Sequence, residues 1–169
     1  MPTQPTIVES AWFVSPLGVL RLDATTRGLC RVAFGEPRSS RATTRPRHEA
    51  LRRALDELRR FFSGRPKPSE VPFDLSAGTP FQRAVWTTLA QTVLPGELVT
   101  YGELASRAGR PGAARAVGAA MGKNPIPILV PCHRVVAAGA RPGGFGLGLD
   151  VKQALLACEG ALLPGFDAS

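Results

Sequence analysis

The 169 residues are 44% hydrophobic, enough for one or two packed domains, and a net charge of +8 with an isoelectric point near 10.7 makes a polyanion the first partner to consider. Three scattered cysteines exclude a disulfide framework, and with two histidines and no CxxC or HExxH run a zinc site is hard to build. Met1–Ser10 lacks the basic-then-apolar order of a signal peptide, and no apolar run nears the roughly 20 residues of a bilayer span, so the expectation is a cytoplasmic protein.

Ile7–Val14, Leu17–Asp23 and Leu29–Phe34 read as three short strands, with Ser15-Pro16-Leu17-Gly18 and Thr25-Thr26-Arg27-Gly28 as turns between them. That pattern predicts an antiparallel meander. Glu36 to Pro46 is polar and reads as a loop. A helix follows over Arg47–Phe62, its apolar stripe made of Leu51, Ala54, Leu55, Leu58 and Phe62, and Gly64 ends it. Arg65 to Ala77, with prolines at 66, 68 and 72, reads as a linker, after which the composition turns helical.

Thr79-Pro80-Phe81-Gln82 is a capping box with proline at the first helical position, and Phe81, Val85, Leu89 and Val93 continue as a buried stripe to Leu94. Thr100-Tyr101-Gly102-Glu103 is a second capping box and opens a short helix through Ala108. Gly109-Arg110-Pro111-Gly112 closes it, and another helix runs from Ala113 to Met121. The pair fits a helix-turn-helix and equally a tight turn in an ordinary bundle. The second helix is almost entirely Ala and Gly around Arg115. Such a thin helix suits either close packing or insertion into a widened minor groove, and the arginine favours the groove. A last helix is expected from Asp150 to Gly160, burying Val151, Ala154, Leu155 and Cys158. The fold expected is α+β: residues 1–77 as a small antiparallel sheet-plus-helix domain with its proline-rich linker, and 78–169 as a mainly helical domain.

The chemistry concentrates in Pro125-Ile126-Pro127-Ile128-Leu129-Val130-Pro131-Cys132-His133-Arg134-Val135-Val136. Prolines forbid a helix and predict a rigid extended segment, and a thiol beside imidazole and guanidinium is a candidate thiolate. In a regular strand Cys132 and His133 point to opposite faces, which favours a water between them over a direct bond. Glu159, in the last turn of its helix, faces the negative end of the helix dipole, so a cation such as His133 or Arg134 is expected to hold it. The logic of an activated nucleophile makes Cys132 the nucleophile, His133 the base and Glu159 its orienter. Gly143-Gly144-Phe145-Gly146-Leu147-Gly148 fails as a dinucleotide fingerprint and reads as a mobile wall where amides approach a ligand. His48 reads as solvated, Cys30 and Cys158 as core, Trp12 and Trp86 as packing residues.

Val130-Pro131-Cys132-His133-Arg134-Val135 resembles the active-site signature of the O6-alkylguanine-DNA alkyltransferases, also called methylated-DNA–protein-cysteine methyltransferases. The likeness extends through Gly78-Thr79-Pro80-Phe81-Gln82, Tyr101-Gly102-Glu103-Leu104-Ala105, Ala113-Ala114-Arg115-Ala116-Val117-Gly118, Asn124-Pro125 and Glu159-Gly160, roughly residues 78 to 160. The N-terminal part is similar only through Ser15-Pro16-Leu17-Gly18 and its sheet-plus-helix pattern. The resemblance implies a single-turnover DNA repair protein, a monomer in solution that acts on double-stranded DNA with no cofactor, which flips O6-alkylguanine out of the stack and takes the alkyl group onto Cys132. It implies weaker action on O4-methylthymine. By the same matching Arg115 fills the gap in the stack, with Ala113, Ala114 and Gly118 against the DNA. Tyr101 donates to the flipped base, and Asn124 stabilises the turn and the thiol network. Val135, Phe145 and the Gly146 amide complete the pocket. Two departures stand out. Phe145 occupies a position where many relatives carry tyrosine, and Cys30 has no partners for the zinc some relatives bind, so no metal is expected. The rival reading is a non-catalytic module that binds alkylated bases and recruits other factors.

Overall fold

The computed structural model describes residues 4–35 and 43–163. The first seven residues of the expected loop at 36–46 lie outside them. Its end does not behave as a loop: Thr43 adds a bridge to Ala11 on the outer edge of the first strand.

Three antiparallel strands open the chain, β1 (Glu9–Ser15), β2 (Gly18–Thr25) and β3 (Gly28–Phe34), in the order β1-β2-β3. The two predicted turns close Ser15 on Gly18 and Thr25 on Gly28. Alternation places Leu20, Leu22 and Ala24 on one face, each fully buried, and this face packs on α1 (Glu49–Phe62). His48 caps α1, its Nδ1 accepting from the Ala50 amide at 3.2 Å, so it is half-buried and structural where solvation was expected. The α1 stripe keeps Leu51, Ala54, Leu55 and Leu58 but ends on Phe61; Phe62 turns outward and stacks on Phe13, ring centres 5.9 Å apart.

The stretch read as a linker is docked. Phe73 bridges Leu29 on the outer edge of β3, through Leu29 N–H to Pro72 O (2.8 Å) and Asp74 N–H to Leu29 O (2.7 Å). Buried Asp74 accepts the Thr25 hydroxyl at 2.6 Å. Only glycine fits at position 28, because a Cβ there would sit 2.3 Å from Pro72 O and φ is +151°.

Both predicted capping boxes form, starting α2 (Pro80–Thr92) and α3 (Tyr101–Arg107). Buried Trp86 on α2 donates to Ala120 O at 2.9 Å in α4 (Ala114–Gly122), which fixes α4 against α2. A short turn links α3 to α4, and the two helices pack together. A parallel two-stranded ladder, β4 (Val99–Thr100) with β5 (Val135–Val136), was not expected from the sequence. It ties the start of α3 to the segment that follows Cys132. The chain ends in α5 (Leu149–Cys158). Its buried residues are Lys152, Leu155 and Leu156, with the Glu159 side chain fully enclosed at the cap. Val151, Ala154 and Cys158 are only half-buried. The predicted stripe is therefore off by one position. The true one runs through two ionisable residues, which a count of apolar positions passes over. No helix among the described residues is long and apolar enough to cross a membrane.

Candidate active site

The extended reading of the Cys132 segment holds up to Pro131 and then fails. Pro131, at φ −82° and ψ 64°, forms a tight turn in which the Cys132 amide donates to Val130 O at 2.8 Å. With no proline again until 142, the freed amides close a 3₁₀ turn over Cys132–Arg134. The bend replaces the strand geometry that set Cys132 and His133 on opposite faces. The loop feeding this turn is strained: Ile128 adopts φ +75°, an unfavourable conformation for a β-branched residue. Asn124 clamps it, its Nδ2 donating to Val130 O (2.8 Å) and its Oδ1 accepting from the Ile126 amide (3.0 Å).

Behind the turn lies a buried polar network. His133 Nε2 is 3.1 Å from Glu159 Oε1, and Arg134 grips the same carboxylate from Nε (3.0 Å) and Nη2 (2.5 Å) while Nη1 donates to Val93 O (2.6 Å). Both expected cations therefore hold Glu159. Burial by itself would raise the Glu159 pKa, but the His133 and Arg134 hydrogen bonds outweigh it and bring it to about 2. Burial depresses His133 against the opposing pull of Glu159, so the imidazole is neutral. With Nε2–H donated to Glu159, Nδ1 is left as an acceptor, and it is buried with no protein partner. It is the one ring position free to take a proton.

Cys132 is buried, and that burial raises its thiol pKa; Asn124 and Lys152 lower it only in part. Cys132 reads as a candidate thiolate because of its cationic neighbours, but the adjacent guanidinium is committed to Glu159 and burial favours the neutral thiol, which fits a base at His133. Cys30 is pushed up to about 11, by burial and then by Asp23 and Asp74, and is inert.

Cys132 opens into a cleft of about 1050 Å³ lined by Tyr101, Ala114, Arg115, Gly118, Met121, Asn124 and Gly144–Leu147. Val32, Ala33 and Phe34 of β3 form its far wall, and the Val32 amide donates to Pro125 O at 2.9 Å. The β3 contribution was not anticipated, since nothing in a strand pattern says which edge meets another part of the chain. Tyr101, at the start of α3, donates to Gly144 O at 3.3 Å, and Gly143 has room for no Cβ, which would lie 2.8 Å from the Tyr101 hydroxyl. Burial first, then Cys132, raises the Tyr101 pKa, so the phenol stays protonated. Arg115 projects from the first turn of α4 and is exposed. Of the other expected residues, Ala113 is the half-buried cap of α4, and Val135 is fully buried with its carbonyl taken by Lys152 Nζ at 2.6 Å. Neither lines the cleft. Sequence reasoning missed Lys152. Its register with Leu155, Leu156 and Glu159, at i, i+3, i+4 and i+7, is the signal that marks it as buried. Among the described residues no cluster of three or more His, Cys, Asp or Glu side chains could hold a metal ion.

A buried cysteine beside a neutral histidine and an anchored carboxylate, opening into a cleft walled by a paired-helix motif, defines a thiol-centred reactive site. Two family models match, the 6-O-methylguanine DNA methyltransferase ribonuclease-like domain over residues 10–75 and the DNA binding domain of the same family over residues 80–161. The methylated-DNA–protein-cysteine methyltransferase of Mycolicibacterium paratuberculosis is 44% identical, across 90% of this chain and 93% of its own. That of Methanosarcina acetivorans is 39% identical, across 89% and 97%. The crystal structure of Mycobacterium tuberculosis OGT in complex with DNA superposes with a TM-score of 0.77 at 41% identity, covering 90% of this chain and 92% of that one. The chain belongs to the 6-O-methylguanine DNA methyltransferase family.

Proposed function

We propose that this protein repairs O6-methylguanine in double-stranded DNA by taking the methyl group onto its own Cys132, once per molecule. Membership of the family makes DNA repair by alkyl transfer to a cysteine the activity, and DNA the partner. The observation that carries the assignment to Cys132 is the unpartnered Nδ1 of a neutral His133 whose other nitrogen is fixed on Glu159.

The step follows from these protonation states. The Cys132 thiol gives its proton, through a water, to His133 Nδ1, and Sγ attacks the methyl carbon. The S–C bond forms as the C–O6 bond breaks, its electron pair passing to the base. Tyr101, protonated and at the cleft wall, releases Gly144 O to donate to the base as that charge develops. Burial of the network explains the delay in ionising sulfur: a free thiolate is costly there, so proton loss accompanies attack. The thioether leaves nothing to regenerate the thiol.

A base inside the stack cannot bring its O6 substituent to a buried sulfur, so the guanine is flipped into the cleft. Arg115, exposed on a helix of small side chains, enters the vacated space, with Ala114 and Gly118 allowing close approach. Phe145 supplies an apolar wall without a hydroxyl. O4-methylthymine, which presents the same kind of alkoxy carbon, is a weaker substrate. The protein acts as a monomer, with residues 1–77 and 78–169 as its two domains.

Intact mass after mixing with a duplex containing one O6-methylguanine, followed by peptide mapping, tests the reading. One methyl group per chain on Cys132 is expected, and Cys132→Ala should bind the duplex unmodified. An unmodified wild-type protein that holds the lesion would make the chain a recognition module instead.

A further inference from the structure

Lys152 is fully buried on the first turn of α5, and the reaction described above gives it no task. Burying an ammonium is costly unless its donors and its charge are both met. Two of its three donors are met by carbonyls, Val135 O on β5 and Pro142 O at the entrance to the glycine-rich loop. Its charge is not met by any carboxylate among the described residues. Glu159, one face-repeat further along at i+7, is saturated by Arg134 and His133. Asp150, two positions before it on α5, and Arg141, next to Pro142, are exposed. Tyr101 and His133, the other ionisable groups around the thiol, are neutral in the resting protein. What remains is Cys132. Lys152 lies at the far end of a connection of two bonds from it, Nζ to Val135 O and Val135 N–H to Cys132 O, and its ammonium is 5.8 Å from the ring centre of Phe145 in the cleft.

We propose that Lys152 is a positioning residue that supplies the counter-charge for the Cys132 thiolate as it forms, and ties the Pro142–Phe145 loop to β5, directly after the thiol turn, while doing so. The mutual attraction of the two groups works in both directions: Lys152 lowers the thiol pKa, and Cys132 opposes the fall of Lys152, which burial brings to about 8. The second consequence is a change of state on repair. Once sulfur carries an alkyl group it can no longer ionise, and Lys152, still held by its two carbonyls, permanently loses the one counter-charge it could gain.

The inference rests on Cys132 as the acceptor, and its test needs no DNA. Cys132 alkylation by iodoacetamide is followed against pH by peptide mapping in the wild type, K152R and K152M. We expect the K152M inflection about one pH unit higher, a roughly tenfold slower reaction at neutral pH, with K152R close to wild type below pH 8. Coincident profiles for K152M and wild type overturn the proposal. Should K152M fail to fold, the Lys152 titration in wild-type protein, read by NMR of ¹³C-labelled lysine before and after Cys132 alkylation, decides. A lower pKa in the alkylated protein supports the pairing, and an unchanged one overturns it. If methyl transfer from DNA fails while the shift with K152M is seen, the repair reading falls and the pairing stands. An unshifted profile alongside normal transfer gives the reverse.

Discussion

Glu159 and His133, 26 positions apart, meet at 3.1 Å in a space closed to solvent, and this contact sets which imidazole nitrogen can act as a base. An acceptor fixed on Nε2–H leaves the lone pair on Nδ1. Glu159→Gln keeps the size but presents an amide that satisfies neither His133 nor Arg134 fully. Transfer should slow about 10²-fold in a single-turnover assay, with DNA binding unchanged. The same carboxyl makes stability depend on acid. Its folded pKa of about 2 lies below the ordinary 4.5, so its contribution is present in full above 4.5 and is lost as pH falls toward 2. That contribution is on the order of 3 kcal/mol, and urea unfolding at pH 6 and pH 3 should show Glu159→Gln losing the acid-dependent part.

Asn124 holds a loop that Ile128 strains. Removing the clamp in Asn124→Ala takes one of two donors from Val130 O, leaves the Ile126 amide without its partner and lets the backbone relax. A loss of about 2–3 kcal/mol in urea unfolding is expected, with transfer slowed more than DNA binding because the displaced segment carries Cys132. Unchanged transfer in a destabilised variant would show that the clamp serves stability alone.

Arg115 makes no protein hydrogen bond among the described residues and stands at the mouth of the cleft. Arg115→Ala should abolish most of the fluorescence rise of a base analogue placed to report flipping. Nonspecific affinity should fall only modestly, with the salt slope reduced by about 1. An unaltered flipping signal would remove Arg115 from that role.

Gly28→Ala drives a methyl group into Pro72 O at a backbone angle unsuited to L side chains. We expect a loss of roughly 2–4 kcal/mol by thermal or urea unfolding, with the chemistry of Cys132 intact in the folded fraction.

Much of this architecture is legible locally. Thr79/Gln82 and Thr100/Glu103 announce helix starts because a capping box is a four-residue event, and both turns of the meander are set by residues within them. The motif around Cys132 names the site, and Glu159 can be anticipated because a carboxylate at a helix end needs a cation. What the pattern hides depends on distant partners. Prolines at 125, 127 and 131 argue for extended chain, yet Cys132–Arg134 curls, because the same prolines stop one residue short of the thiol. Lys152 shares a helix face with Leu155 and Leu156, but what holds its ammonium there, two carbonyls from separate segments, is invisible in the pattern. Arg65 to Ala77 reads as a tether because its prolines look alike whether the backbone is free or docked, and only Leu29 and Thr25 reveal that it is docked.

The covering of the outer edges of the sheet has one further meaning. Thr43 pairs along β1, the Pro72–Asp74 stretch along the start of β3, and Pro125 closes β3 at Val32. A three-stranded sheet with bare edges would invite pairing with other chains. Two of these covers come from the N-terminal half itself, but the third belongs to the loop that Asn124 clamps beside the thiol. Cut away from the helical half, the sheet would expose the Val32 amide and the apolar wall at Phe34 together, a sticky margin in a crowded solution. The loop that delivers the reactive sulfur thus doubles as a guard against self-association.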